Sequence, residues 1–205
     1  MKTRAIGVLM TLAAAAAAQA RTSARPAGSA TRICADQAHG QGPLVDPYAA
    51  LAAKLNAEIV TASVPITAET LKGCRLLIVR VPTQEIKSEE SAAIAAFVRG
   101  GGALLLAFDE ERRAPLAATR VNDVIAPFGM KLSADTEYLH NNGAIVKKGA
   151  ISAADRELPF SGGRAVEGGT PFGWQLDKDG KPGDVFAASA TSGNGGRSSC
   201  SAMPW

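Results

Sequence analysis

The chain has 205 residues, with 22 Lys and Arg against 19 Asp and Glu, which gives a net charge of +3 at pH 7. Loss of the first 20 residues would remove Lys2 and Arg4, leaving 20 basic against 19 acidic residues and a charge of +1. This balance argues against nucleic acid and anionic membrane surfaces as partners, and an aromatic content of 5% argues against base stacking.

The amino terminus has the three parts of a secretory signal. Lys2 and Arg4 form a positive segment, residues 5–18 are apolar, and Ala18-Gln19-Ala20 is a small-x-small cleavage pattern. We therefore predict a Sec-type signal peptide over residues 1–20, a flexible leader over 21–30, and a periplasmic or secreted mature protein. An uncleaved amino-terminal anchor is the alternative, although the apolar run is short and alanine-rich for a membrane span.

Short apolar runs alternate with helical patterns after the leader. The apolar run at 75–81, broken only by Arg80, and the glycine-led run at 103–108 are typical of parallel strands covered on both faces. Gly, Pro and Asp clusters separate the elements. The predicted order is a strand at 30–35, a helix beginning at Pro47, a strand at 58–62, a short helix at 67–72, a strand at 75–81, a helix from Ser88 to Arg99, a strand at 103–108 and a helix at 119–128.

This alternation predicts an α/β fold that is doubly wound and flavodoxin-like, with a mostly parallel sheet. After Gly129 the pattern changes to short strands at 130–132, 144–147 and 185–188, separated by Gly- and Asp-rich turns. We interpret these as a β-rich carboxyl-terminal extension packed on the same sheet. Residues 31–197 then form one domain.

The last eight residues, 198–205 (SSCSAMPW), show no strand pattern. If the codons are GC-rich, a shifted frame would read Val-Val-Leu-Gly-Asp-Ala-Val after Gly-Gly-Arg, which is an apolar strand. We therefore hypothesise that a frameshift replaced a final core strand, and that 198–205 is an out-of-frame tail.

An exported protein with three cysteines has at least one unpaired thiol. Cys34 lies near the end of one predicted strand and Cys74 at the start of another. In neighbouring parallel strands these positions fall at opposite ends, too far apart for a disulfide. We therefore expect buried free thiols, and no cysteine spacing is typical of a metal site.

Three motifs in order resemble the class I glutamine amidotransferase-like superfamily: residues 36–40 (DQAHG), 81–83 (VPT) and 97–102 (FVRGGG). The resemblance covers residues 30–130, and 157–164 and 168–171 match uncharacterised exported members. It is strongest to the non-catalytic branch, which includes domains of gliding-motility and ABC-transport auxiliary proteins and of an intraflagellar transport subunit. It implies a binding role in a transport or motility complex at the inner membrane.

Catalytic members of that superfamily carry a cysteine in a Gly-x-Cys-x-Gly turn after the glycine-led strand. Here the corresponding residues 107–111 read AFDEE, with neither the cysteine nor the glycines. Cys34 and Cys74 do not follow this strand. The resemblance therefore implies a domain without amidotransferase chemistry.

Ligands of parallel sheets bind beyond the carboxyl ends of the strands, so the loops there supply the candidate site. We predict no catalytic residue, metal or cofactor, and expect these side chains to bind a ligand or partner: Asp36, His39, Gln41, Thr83, Gln84, Asp109 and Glu110.

The leading hypothesis is an exported, non-enzymatic domain that binds a ligand or an envelope protein through these loops. The second is a hydrolase, with or without a metal ion, that uses Asp36, His39 and Asp109, with His39 as the base. The third is an inactive, truncated product. The second requires His39 and a carboxylate to lie within about 3 Å of each other at a concave pocket.

Overall fold

The computed structural model describes residues 31–42, 46–135, 143–160, 163–193 and 197–202. The predicted signal peptide and leader lie outside these ranges. The strands are β1 (Thr31–Asp36), β2 (Ala57–Ala62), β3 (Cys74–Arg80), β4 (Ala103–Phe108), β5 (Met130–Asp135), β6 (Ala144–Val146), β7 (Arg156–Leu158), β8 (Arg164–Gly168), β9 (Thr170–Leu176), β10 (Pro182–Thr191) and β11 (Arg197–Ala202). The helices are α1 (Asp46–Lys54), α2 (Ser88–Arg99), α3 (Leu116–Thr119) and α4 (Val121–Ile125), which continues as a 3₁₀ turn, Ala126–Phe128.

Nine strands form one sheet in the order β2-β1-β3-β4-β11-β10-β9-β6-β7, and β5 pairs with β8 separately. The pairings from β2 to β11 are parallel, and those from β11 to β7 are antiparallel. The α/β class is confirmed. The prediction of a mostly parallel sheet was wrong, because the extension adds an antiparallel half to the same sheet.

Alternate side chains of the parallel strands face opposite sides, and apolar residues cover both. On one side Ile33 and Ile78 pack with Ala52 of α1. The larger core lies on the other side, where Leu77 and Leu104 belong to the same cluster as residues of α2 and α4. Gly102, directly before β4, lies close to α2, since an added Cβ would be 2.4 Å from the Phe97 ring.

Two predicted helices differ from the structure. Residues 68–73 form successive turns, in which Thr67 N–H donates to Thr70 Oγ1 (2.8 Å). The helix predicted at 119–128 is broken, because Arg120 adopts a left-handed conformation (φ 54°) between α3 and α4. In the described ranges, no helix is long and apolar enough to span a membrane.

Cys34 and Cys74 form a disulfide, with Cα atoms 6.0 Å apart, so the prediction of free thiols at these positions was wrong. An irregularity in the β1–β3 register explains the error. Cys74 pairs with Arg32, but the register shifts between Arg32 and Ile33. Cys74 therefore lies only two residues from Cys34 along β1, on the same face of the sheet.

The prediction that the tail forms no strand was also wrong. Residues 197–202 form β11, which lies between β4 and β10 and pairs with both. Residues 203–205 lie outside the described residues. The frameshift itself stays a hypothesis. It proposes that an apolar strand was replaced at residues 198–205, and these positions overlap β11.

Candidate functional site

The loops after β1, β3 and β4 meet at the carboxyl ends of the strands, because these strands are parallel. Asp36 is the last residue of β1, and His39 follows three residues later in the loop. Asp36 accepts hydrogen bonds from the Ala38 N–H (3.0 Å) and from the Gln41 side-chain amide. These bonds fold residues 36–41 into a tight turn that directs the His39 ring inward.

His39 lies between two carboxylates. Its Nδ1 is 2.8 Å from Asp36 Oδ2, and its Nε2 is 3.2 Å from Glu90 Oε1 and 3.3 Å from Oε2. All three residues are buried, with exposed fractions of 4% for Asp36, 4% for His39 and 5% for Glu90. Each ring nitrogen therefore faces a carboxylate rather than solvent.

Glu90 fixes this arrangement from the first turn of α2. It accepts hydrogen bonds from the backbone N–H of Ile66 (2.7 Å), in the segment after β2, and of Lys87 (3.0 Å), just before α2. A carboxylate near a helix amino terminus is also favoured by the helix dipole. Glu90 thus connects the loops after β1, β2 and β3. We call Asp36, His39 and Glu90 the histidine cluster.

The cluster favours a protonated imidazole. Burial alone would lower the pKa of His39, but the hydrogen bond and charge of Asp36, followed by those of Glu90, outweigh it, so that the pKa is raised above its usual value. Burial would raise the pKa of Glu90, whereas hydrogen bonds from Lys87, Ile66 and His39 hold that pKa below its usual value. The two carboxylates therefore stabilise the imidazolium form of His39 relative to the neutral ring.

Exposed polar residues lie next to this cluster, on its solvent side. The backbone N–H groups of Thr83 and Gln84 both donate to the His39 carbonyl (2.9 and 3.1 Å). Thr83 and Gln84 are exposed, and Gln41 is half-buried. Gly40 allows the close approach, because it has a φ of +77° and an added Cβ would lie 2.3 Å from Thr83 Oγ1. We call Gln41, Thr83 and Gln84 the rim.

The backbone leading into the rim is strained. Val81, directly after β3, has a φ of +46°, which is rare for a β-branched residue. It is held there by its N–H, which donates to the Ala107 carbonyl (2.8 Å). Strain of this kind persists where surrounding contacts fix the conformation, and it is common at functional sites.

A second cluster lies after β4, and its centre is an arginine from the extension. Arg164 is 1% exposed and donates to the carbonyls of Asp109 (3.0 Å), Ser133 (3.1 Å) and Ala114 (3.4 Å), and to the Glu111 carboxylate. Its guanidinium also lies over the Phe108 ring, 5.6 Å from the centroid. We call Arg164 with these acceptors the arginine cluster.

The structure brings some of the predicted residues together and separates others. Asp36, His39 and Gln41 contact one another directly, and Thr83 and Gln84 bond to the same loop. Asp109 is bound instead to the Glu110 N–H (2.8 Å) and to Arg113 (3.2 Å). Both described hydrogen bonds of the His39 ring are with Asp36 and Glu90, so the predicted combination of the His39 base with Asp109 is not formed.

Two central residues, Glu90 and Arg164, were not among the predicted site residues. Glu90 had a detectable signal, since a Glu in the first turn of a helix often caps it. Arg164 had none, because its partners lie 31–55 residues away in the chain. Among the residues that the structure describes, no group of three or more His, Cys, Asp or Glu is arranged to hold a metal ion.

No family model matches the chain, and no curated protein matches it in sequence. Solved structures are similar to it in fold. The mmIFT52 amino-terminal domain aligns with a TM-score of 0.64 and 16% identity, covering 84% of this chain and 86% of that domain. A cytoplasmic protein from Salmonella typhimurium aligns with a TM-score of 0.57 and 10% identity, covering 83% and 86%.

An enzyme also contains a similar unit. The cold-adapted β-galactosidase from Rahnella sp. R3 aligns with a TM-score of 0.55 and 14% identity, covering 86% of this chain but only 29% of the enzyme. At these identities the likeness shows the fold alone. The fold therefore occurs both as a separate domain and as part of a larger protein.

Proposed function

We propose that the chain is an exported, non-enzymatic binding domain that holds a ligand or an envelope protein on the rim. The observation that carries the proposal is the histidine cluster. Its polar groups are buried and bonded to one another, and they connect three loops beneath the exposed rim side chains of Thr83 and Gln84. Such a site presents a rigid surface, but it offers no free base to a substrate.

The strand order supports a flavodoxin-like, doubly wound fold. The order β2-β1-β3-β4-β11 corresponds to the flavodoxin order 2-1-3-4-5 if β11 takes the fifth place. Helix α1 packs on one side of the sheet and α2 on the other. With the motifs at 36–40, 81–83 and 97–102, this supports membership of the non-catalytic branch of the glutamine amidotransferase-like superfamily.

The Cys34–Cys74 disulfide supports export, because disulfides persist mainly in oxidising compartments. Together with the signal-like residues 1–20, it favours the periplasm or the exterior. We expect the protein from a periplasmic extract to yield a Cys34–Cys74 cross-linked peptide after alkylation and digestion without reductant. The same protein made in a reducing cytoplasm should yield both peptides alkylated. Alkylated cysteines in the periplasmic sample would contradict the proposal.

The hydrolase alternative loses support from the same geometry. Asp36 and His39 meet the distance requirement at 2.8 Å, but the other ring nitrogen faces Glu90 and the imidazole is 4% exposed. A general base must reach the proton that it abstracts. If a purified sample hydrolyses an ester, amide or phosphoester, and His39→Gln abolishes the activity while the circular dichroism spectrum is unchanged, this proposal is wrong.

Site-specific photocrosslinking tests the rim. A benzophenone side chain replaces Gln84 in one variant and Lys178 in another, because Lys178 is also exposed but lies in the turn between β9 and β10. After export and irradiation, the Gln84 variant should give a discrete cross-linked species, and the Lys178 variant should not. A component of an inner-membrane transport or motility complex is the expected partner. Identical cross-linking patterns would exclude the rim as the binding surface.

A further inference from the structure

The outer edge of β2 carries backbone groups without a strand partner. Strand β1 pairs with one side of β2, and no strand among the described residues pairs with the other. The carbonyls of Asn56 and Ala62 accept hydrogen bonds from Thr31 (3.3 Å) and Gln37 (2.9 Å), at the two ends of β1. Because the direction of the backbone groups alternates along a strand, the N–H and C=O groups of residues 57, 59 and 61 point away from the sheet.

This edge lacks the features that normally prevent strand pairing. Proteins protect exposed edges with proline, lysine, bulges or very short strands. Strand β2 has the sequence AEIVTA and pairs with β1 over all six residues without a register shift. Its only charged residue is Glu58. The edge is therefore able to accept another strand.

We propose that the partner is β2 of a second copy, paired antiparallel about a two-fold axis that passes through Ile59. In this register Ile59 opposes the partner's Ile59, and Ala57 opposes the partner's Thr61. These are the residues whose N–H and C=O groups point outward. Each such pair exchanges two hydrogen bonds, so every outward backbone group of residues 57, 59 and 61 is satisfied.

The side chains are also compatible with this register. Glu58 opposes the partner's Val60 and not the partner's Glu58, so the strand's one charge does not meet its copy. Like charges directly opposite each other would destabilise the pair. The self-complementary pattern of backbone groups and charge favours a second copy over an unrelated strand.

Apolar surface lies close to the same edge. Helix α1 packs on the sheet beside β2, and Leu51 in α1 and Leu55 just after it are 51% and 58% exposed. Val64, two residues beyond β2, is 55% exposed. A stable interface buries about 1,200–2,000 Å² in total, which is more than one strand pair provides. These side chains supply apolar area for the rest.

Two variants that place opposite charges at position 60 test the register. In this pairing Val60→Glu would oppose the partner's Glu58 twice in the dimer, whereas Val60→Lys would form two opposite-charge pairs. Val60 is half-buried and outside the core clusters, so both variants should fold. By sedimentation of the mature chain over a concentration series, we expect Val60→Glu to weaken the dimer about tenfold and Val60→Lys to maintain or strengthen it.

Cysteine cross-linking provides a second test. Paired residues on the axis have Cα atoms about 5.5 Å apart, within reach of a disulfide, while the Glu58 positions of the two copies are separated by two residues. Ile59→Cys should therefore form a covalent dimer under mild oxidation, and Glu58→Cys should not. A monomer at all concentrations, a dimer equally affected by both Val60 variants, or cross-linking through Glu58→Cys but not Ile59→Cys would overturn the proposal.

Discussion

The histidine cluster and the arginine cluster both lie at the carboxyl ends of the parallel strands, and each connects separate segments of chain by different interactions. Each has a buried basic side chain that joins separate segments of chain. His39 joins loops through two carboxylates, whereas Arg164 joins β8 to the segment 109–114 mainly through backbone carbonyls. The difference lies in the cation, since a guanidinium keeps its charge at every pH at which proteins fold and an imidazole does not.

The two clusters stabilise different parts of the molecule. The arginine cluster attaches the antiparallel extension to β4, because Arg164 in β8 reaches the carbonyl of Asp109 directly after that strand. The histidine cluster supports the rim within the parallel half. We therefore expect the attachment of the extension to be insensitive to pH near neutrality, and the support of the rim to depend on one proton.

The largest effect should come from removing the permanent cation. Arg164→Leu would leave the carbonyls of Asp109, Ala114 and Ser133 without their buried donor, which should lower the free energy of unfolding by about 3–5 kcal/mol. Urea unfolding measures this change. Arg112→Leu is the control, because Arg112 forms an exposed ion pair with Glu110 and should change stability by less than about 0.5 kcal/mol. Equal effects would show that the arginine cluster contributes nothing beyond surface charge.

A smaller effect should come from the contact between Gly40 and Thr83. Gly40→Ala combines a left-handed backbone with a Cβ that would lie 2.3 Å from Thr83 Oγ1. We expect a loss of about 2 kcal/mol in the free energy of unfolding. Gly180→Ala is the matched control, with a φ of +73° and no atom near the added Cβ, and it should cost about 1 kcal/mol. If Thr83→Ala in the Gly40→Ala background recovers none of the difference, the close contact is not its cause.

Features with a local sequence signal could be predicted, and features that depend on distant residues could not. Strand β4 was predicted with the observed bounds, because its apolar run and leading glycines are local signals. Asp36, His39 and Gln41 were predicted as one group, since they share a single loop. Arg164 could not be predicted, because a buried arginine among distant carbonyls has no local pattern.

Pairing between strands caused two further errors. The Cys34–Cys74 disulfide depends on a register shift between Arg32 and Ile33 that no residue pattern indicates. Strand β11 carries the polar sequence RSSCSA, and its strand conformation follows from pairing with β4 and β10 on either side. In both cases the neighbouring strand, and not the segment's own residues, determines the structure.

The smallest effect should come from the proton of His39. Since the pKa of His39 is raised in the folded state, its contribution to stability is fully present below the unfolded value, near 6.5, and is lost as the pH rises through the folded pKa. A neutral imidazole has one N–H, so one of the two carboxylates then loses its donor while the ring stays packed.

At the acid end, the lowered pKa of Glu90 means that its contribution is present above about 4.5 and is lost as the pH falls through the folded value. Urea unfolding at a series of pH values should therefore show the stability of the wild type falling as the pH rises from about 6.5 through the folded pKa of His39. His39→Gln, which cannot titrate, should be less stable at pH 6 and show no such fall, whereas Arg164→Leu should retain it. A fall of equal size in His39→Gln would assign the pH dependence to another group and remove the distinction between the two clusters.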